Sequence, residues 1–169
     1  YVKNDMGNIK ILPGFNLNSD DGLVYVSDNS DFSGLSFIQI TSGYCTETSG
    51  YYGIYTQAMC DAAASALSLS DTLSDTQSGS HPMGCYKDTS NNIHVNTQAW
   101  TYCANENVAC SCIGKVRYGA SEKYRYRDST GSINCANSVF GDPISGTSKT
   151  CDCLTKCSSA KSCLCVKYV

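Results

Sequence analysis

Twelve cysteines are the residues of this chain whose types and spacing could do chemistry, and that chemistry is oxidation to disulfides. They are Cys45, Cys60, Cys85, Cys103, Cys110, Cys112, Cys135, Cys151, Cys153, Cys157, Cys163 and Cys165. Six of them form three Cys-x-Cys pairs, Cys110/Cys112, Cys151/Cys153 and Cys163/Cys165. An even set of this size belongs to an oxidising compartment, and each unstrained bridge contributes about 2–4 kcal/mol. Full pairing allows about ten thousand connectivities, and sequence alone does not choose among them. Metal is the rival reading, but no Cys-x-x-Cys knuckle exists and only His81 and His94 are present to complete a mixed site. On a strand, residues i and i+2 project from one face, and a bridge between them would be severely strained. Each member of a Cys-x-Cys pair is therefore expected to take a different partner, so that one short strand pins two other segments.

The remaining reactive side chains carry weaker signals. His81, in "SGSHPMG", has serines and aspartates nearby, but no Gly-x-Ser-x-Gly elbow accompanies it. His94 reads as a hydrogen-bonding strand residue. "NLNSDDG" (Asn16–Gly22) places oxygen side chains alternately, yet its glycine comes late and no glutamate closes a calcium loop, so turn chemistry accounts for it. "KVRYGASEKYRYRD" (Lys115–Asp128) holds Lys115, Arg117, Lys123, Arg125 and Arg127 among Tyr118, Tyr124 and Tyr126, across a turn at Gly119–Glu122. It reads either as a contact surface for an anionic glycan or for the acidic face of a neighbouring subunit, or as a charged edge hairpin that resists uncontrolled pairing. Tyr51 and Tyr52, in "GYYGIY", form a second contact candidate or a packed turn, and Trp100 reads as core.

These residues need elements to hold them. Residues 1–41 contain no cysteine, and "NIKIL", "GLVYVS" and "SFIQI" are strand-like runs separated by turn signals at Pro13–Gly14, Ser19–Gly22 and Ser27–Asp31. Residues 42–115 form a cysteine-rich module and 116–169 a shortened second one. "TQAMCDAAASALSLSD" (Thr56–Asp71) is the one helix, capped by Thr56, with Met59, Ala63, Ala66 and Leu67 on one face. Cys60 is placed to tie it to the segment around Cys45. "YKDTSNNIH" (Tyr86–His94) aligns without gaps to "YRDSTGSIN" (Tyr126–Asn134), with Asn91–Asn92 and Gly131–Ser132 suited to tight turns. Each copy reads as a hairpin followed by a Cys-x-Cys clasp.

The segments "ITSGYC", "MCDAAASALSLSD", "HPMGCYKDTSNNIHVNT" and "CSCIGK" together resemble a cysteine-rich module of secreted and surface proteins of unicellular algae and other protists. The likeness covers about Ile40 to Lys115, with a degenerate copy from Tyr124 to Lys167 that lacks the helix. "HVNT" stands where that pattern has an apolar-aromatic strand, and the first 39 residues lie outside it. The resemblance implies location and architecture and supplies no catalytic residues.

Composition narrows the class. Net charge is −3, a poor match to phosphate backbones, and no apolar run nears the roughly 20 residues of a membrane span. The chain opens at Tyr1 without a leader, as a processed product or fragment would. No Asn-x-Ser/Thr acceptor occurs, and the Ser68–Ser80 stretch is left as the place for O-linked sugar. The expectation is a small disulfide-rich α+β fold, mostly β, with one Ala-rich helix and a duplicated hairpin-clasp unit. Its expected role is non-enzymatic, without cofactor or metal: a secreted, extracellular structural protein that associates with itself or with other surface proteins and glycans. Self-association, into a filament or surface layer, would use the N-terminal β segment. The alternatives are a carbohydrate-binding module using residues 115–128, and a peripheral lumenal subunit of an algal membrane complex in the plastid. No nucleic acid and no membrane span are expected.

Overall fold

The computed structural model describes Phe32, residues 34–169 and four short strand segments before them. Those four are β1 (Val2–Lys3), β2 (Ile9–Lys10), β3 (Phe15–Leu17) and β4 (Val24–Val26), with β1 paired to β2 and β3 to β4, both antiparallel. β2 and β4 fall within two of the expected N-terminal runs. The turns expected at Pro13–Gly14, Ser19–Gly22 and Ser27–Asp31 lie outside the described residues, as does most of Asn16–Gly22. The chain continues with β5 (Leu35–Ile40), a 3-10 turn at Cys45–Glu47, β6 (Tyr52–Gly53), helix α1 (Gln57–Ala66), β7 (Asp75–Gln77), β8 (Gly84–Lys87) and β9 (Ile93–Asn96). β10 (Thr101–Asn105), β11 (Ala109–Ala120), β12 (Lys123–Asn134), the single-turn helix α2 (Asn137–Phe140) and β13 (Thr150–Thr155) follow, and β14 (Ser162–Tyr168) comes last. Mostly β with one substantial helix and six disulfides, this is a small disulfide-rich α+β protein.

Two compact units divide the chain. The first takes the described residues of Tyr1–Ser78, Pro82–Thr97 and Cys157–Val169; the second takes Gly79–His81 and Gln98–Lys156. The sequence division at 115/116 falls inside β11, which runs unbroken from Ala109 to Ala120. Each unit closes three bridges within itself: Cys45–Cys165, Cys60–Cys85 and Cys157–Cys163 in the first, and Cys103–Cys110, Cys112–Cys153 and Cys135–Cys151 in the second.

In the first unit the sheet order is β5-β14-β8-β9-β7, with β6 also on β14. Only β7 and β9 run parallel. β14 is buried on both faces, because its neighbours and α1 enclose it. Leu164 and Val166 join Met59, Ala63 and Ala64 of α1 in one core, while Cys163 and Cys165 join Cys45, Cys157 and Tyr86 in another. α1 begins where Thr56 accepts a hydrogen bond from Met59 N, and it ends at Ala66. Ser68, at φ 54°, turns the chain there, so the helix stops five residues short of the expected Asp71. Its buried face is Met59, Cys60, Ala63 and Ala64; Ala66 is exposed. Small side chains at 63 and 64 let the helix lie close on the sheet, and Cys60 bridges to Cys85 of β8, not to the Cys45 segment. The reason is proximity across the packed helix and sheet, which sequence spacing does not encode.

The hairpin expected at Tyr86–His94 is present as β8 and β9. Its connection is the loop Asp88–Asn92, in which Asp88 Oδ1 accepts from Ser90 N (2.8 Å) and Asn92 N (2.9 Å). The second expected hairpin, at Tyr126–Asn134, is absent. Those residues continue one strand, β12, which pairs residue for residue with β11 from Ala109↔Asn134 to Ala120↔Lys123. Gly131 and Ser132 favour a turn locally, but twelve paired positions along β11 outweigh that preference. The Cys-x-Cys expectation is met at all three places. Cys110 and Cys112 go to Cys103 and Cys153, Cys151 and Cys153 to Cys135 and Cys112, and Cys163 and Cys165 to Cys157 and Cys45.

Candidate contact surface

The second unit's sheet, in the order β10-β13-β11-β12, is antiparallel throughout. β11 alternates with period two. Cys110, Cys112, Gly114, Val116 and Tyr118 face the core, whereas Ser111, Ile113, Lys115 and Arg117 face outward. β12 returns through Ser121 (φ 49°) and Glu122 (φ 62°), a two-residue turn with both central residues left-handed, whose twist suits a tight hairpin. The register then carries the parity across: Arg117 is opposite Tyr126 and, on its other side, Asp152, which is itself opposite Tyr102. One cross-strand row of the open face thus reads Tyr102, Asp152, Arg117, Tyr126.

Arg117 organises this face. Its guanidinium carbon lies 4.8 Å from the Trp100 ring centre and 4.4 Å from that of Tyr124, so two aromatic faces enclose the planar cation. Its Nε donates to Asp152 Oδ2 at 2.9 Å. Tyr126 stands beside Trp100, with ring centres 6.0 Å apart and planes tilted by 54°. Tyr124 reaches Arg117 because its cross-strand neighbour is Gly119: a Cβ there would come within 2.9 Å of Tyr124 Cδ1. Tyr126 and Tyr102 are 52 % and 57 % exposed, and Trp100 is half-buried with its Nε1 lacking a hydrogen-bond partner.

Beneath the sheet lies a polar network that fixes β11. The buried Tyr118 hydroxyl donates to Glu106 Oε1 (2.7 Å) and lies 2.9 Å from Asn137 Oδ1. Lys149, also buried, reaches Glu106 Oε1 (3.1 Å), Asp142 Oδ1 (3.4 Å) and the Thr147 carbonyl (2.8 Å). Burial, and then Glu106, pushes the Tyr118 phenol well above its ordinary value. Hydrogen bonds from Tyr118 and Lys149 hold the Glu106 carboxyl below its own. Burial alone would lower Lys149, but Glu106 and Asp142 outweigh it and raise its pKa.

The contact residues expected from sequence separate accordingly. Arg117, Tyr124 and Tyr126 are brought together. Tyr118 is not on that surface: one residue from Arg117 on a strand, it points into the core against Phe140 (5.2 Å between ring centres). Arg125 and Arg127 pair with Tyr118 and Val116 and so take the opposite face of β12, where Arg127 Nε donates to the Val139 carbonyl at 2.8 Å. Tyr51 and Tyr52 belong to the first unit. Tyr51 is covered by Lys167, whose Nζ lies 5.4 Å from the ring centre, and Tyr52 packs on the α1 core. Trp100 and Tyr102 are the face residues that sequence reading missed, although their i, i+2 spacing ahead of Cys103 was the available signal.

His94 occupies a site of its own in the first unit. Nδ1 bonds to Asp75 Oδ1 and Nε2 lies 3.2 Å from Asp88 Oδ2, so the ring joins β7 to the β8–β9 loop. Burial alone would lower its pKa, but the two carboxylates outweigh it and the pKa is raised. Both ring nitrogens are engaged by carboxylates, so the ring clamps β7 and the β8–β9 loop together. Among the described residues no group of three or more His, Cys, Asp or Glu is arranged to hold a metal ion, and no helix is long and apolar enough to cross a membrane. Comparison with protein-family models, with curated proteins and with solved structures returns no match to this chain.

Proposed function

We propose that the protein is a non-enzymatic extracellular structural protein that associates with copies of itself by strand addition. The observation that carries this reading is β12. It is the last strand of its sheet, twelve residues long, and among the described residues no second strand pairs with its outer side. Long unpaired edges are templates for another chain, and strand addition gives affinity through main-chain hydrogen bonds. Lys123, Arg125 and Arg127 make this edge basic, whereas residues 17–31 contain Asp20, Asp21, Asp28 and Asp31 and no base. The cysteine-free N-terminal segment of one copy therefore complements the edge of the next in both charge and β-forming sequence. A head-to-tail contact of this kind is heterologous, and it builds a filament or layer where its rotation does not close. Six disulfides fit an oxidising, extracellular setting.

Light scattering and negative-stain microscopy of the purified full chain over a range of concentrations test this. Assembly is expected, with loss on removing residues 1–41 and weakening by Arg125→Glu/Arg127→Glu. A protein that stays monomeric at high concentration, with and without residues 1–41, removes the reading.

A further inference from the structure

We infer that the open face of the second unit's sheet is a binding site for an uncharged oligosaccharide chain, with Trp100 and Tyr126 as its stacking platforms and the Arg117–Asp152 pair as its hydrogen-bonding centre. This goes beyond self-association, because the face is distinct from the β12 edge and needs no second copy.

Sugars are amphipathic. Their C–H faces stack on aromatic rings, while their hydroxyls ask for paired donors and acceptors at the rim. Both demands are met within one cross-strand row and its neighbours. Tyr126 and Tyr102 are more than half exposed, and Tyr126 already stands against Trp100, so that part of the platform is formed before a ligand arrives. The 54° tilt between Trp100 and Tyr126 gives two platforms set at an angle, which suits successive units of a twisted chain better than a single flat ring.

Charge decides the class of ligand. Arg117 is bonded to Asp152, and the strand register sets Lys115 opposite Asp128, so each of these two cations has a carboxylate on the neighbouring strand. A sulfated or carboxylated glycan, or a nucleic-acid strand, would meet no uncompensated positive charge and would have to be held near Asp152 and Asp128. A neutral polyhydroxylated chain meets no such penalty. Arg117 is also held between Trp100 and Tyr124, and among the described residues Nε to Oδ2 is the one hydrogen bond made by either side chain of the pair. Its terminal nitrogens and the second Asp152 oxygen are thus available as donors and acceptor to vicinal hydroxyls.

Trp100 is the sole tryptophan of the chain, so its fluorescence reports on this face directly. The test is a fluorescence titration of the full chain with neutral hexasaccharides of β-1,4-glucose, β-1,3-glucose, β-1,4-mannose and β-1,4-N-acetylglucosamine, and with sulfated dextran. A saturable change with at least one neutral probe is expected, unaffected by salt. Tyr126→Ala, an exposed position, should weaken it about fivefold. Ser132→Ala, further along β12, should leave it unchanged, and circular dichroism shows that both variants are folded. The inference is overturned if no neutral probe saturates by roughly 10 mM. It is equally overturned if Tyr126→Ala binds as the parent does, if only sulfated dextran binds, or if protein concentration alone produces the spectral change, as a second copy on the face would.

Discussion

Replacing Cys45 and Cys165 together by alanine should loosen the first unit and leave the second untouched. The two cysteines are 120 residues apart in sequence. The chain between them is not a free loop, because the Cys60–Cys85, Cys103–Cys110, Cys112–Cys153 and Cys157–Cys163 bridges each cut across it. Following those shortcuts leaves a closed path of about 45 residues, for which the chain-entropy relation gives about 4 kcal/mol, compared with about 5 for the uncut loop. In a unit of about 100 residues that loss lowers the melting temperature by roughly 15 °C. Changing both cysteines avoids a lone thiol that would reshuffle the remaining bridges. Calorimetry follows both units, whereas Trp100 fluorescence follows only the second, since the single tryptophan lies there. The expected result is a calorimetric transition displaced downward with the fluorescence transition in place. A displacement below about 3 °C, or equal movement of both transitions, would refute the reasoning.

The Asp75–His94–Asp88 clamp makes the first unit sensitive to pH. Because the folded pKa of His94 is raised above its ordinary 6.5, the contribution is complete below that value and is lost as pH rises through the folded pKa. Melting temperature should therefore fall on the alkaline side of pH 6.5, and His94→Asn should flatten that slope; an unchanged slope would show that the clamp does not titrate. Glu122→Gly relieves a left-handed glutamate in the β11–β12 turn and should raise the second unit's stability by about 1 kcal/mol, read as a later denaturant midpoint of Trp100 fluorescence. Tyr118→Phe removes the buried donor to Glu106 and should cost about 1 kcal/mol by the same assay, with no midpoint shift counting against the network.

What could be read from sequence was what depends on local geometry. Two cysteines separated by one residue share a strand face whatever the fold, so their divergence to different partners followed from period two alone. The Thr56 cap was legible for the same reason, and so was a turn at Gly119–Glu122, which the structure centres on Ser121 and Glu122. Partner identity was not: whether Cys60 meets Cys45 or Cys85 depends on where α1 lies over β8, a relation among segments far apart in the chain. The likeness between Tyr86–His94 and Tyr126–Asn134 misled because a turn preference at Gly131–Ser132 is small beside a whole strand's pairing with β11. Tyr118 was grouped with Tyr124 and Tyr126 on composition, although the run Cys110, Cys112, Gly114, Val116 already placed even-numbered residues of that strand inward. The basic cluster drew the eye past Trp100, which Arg117 lies over, and past Tyr102, which the register of β10 with β13 sets opposite Asp152.

The placement of β14 has a consequence for how the chain matures. Everything the second unit needs for its three crosslinks lies within one continuous stretch, so it can finish while later residues are still being synthesised. Cys45 emerges first among the thiols yet must wait for Cys165, and until then the slot between β5 and β8 stands open. Ribosome-bound chains halted before residue 157 should thus carry an alkylatable Cys45, and at high local concentration that slot is where a neighbour's final strand would be exchanged.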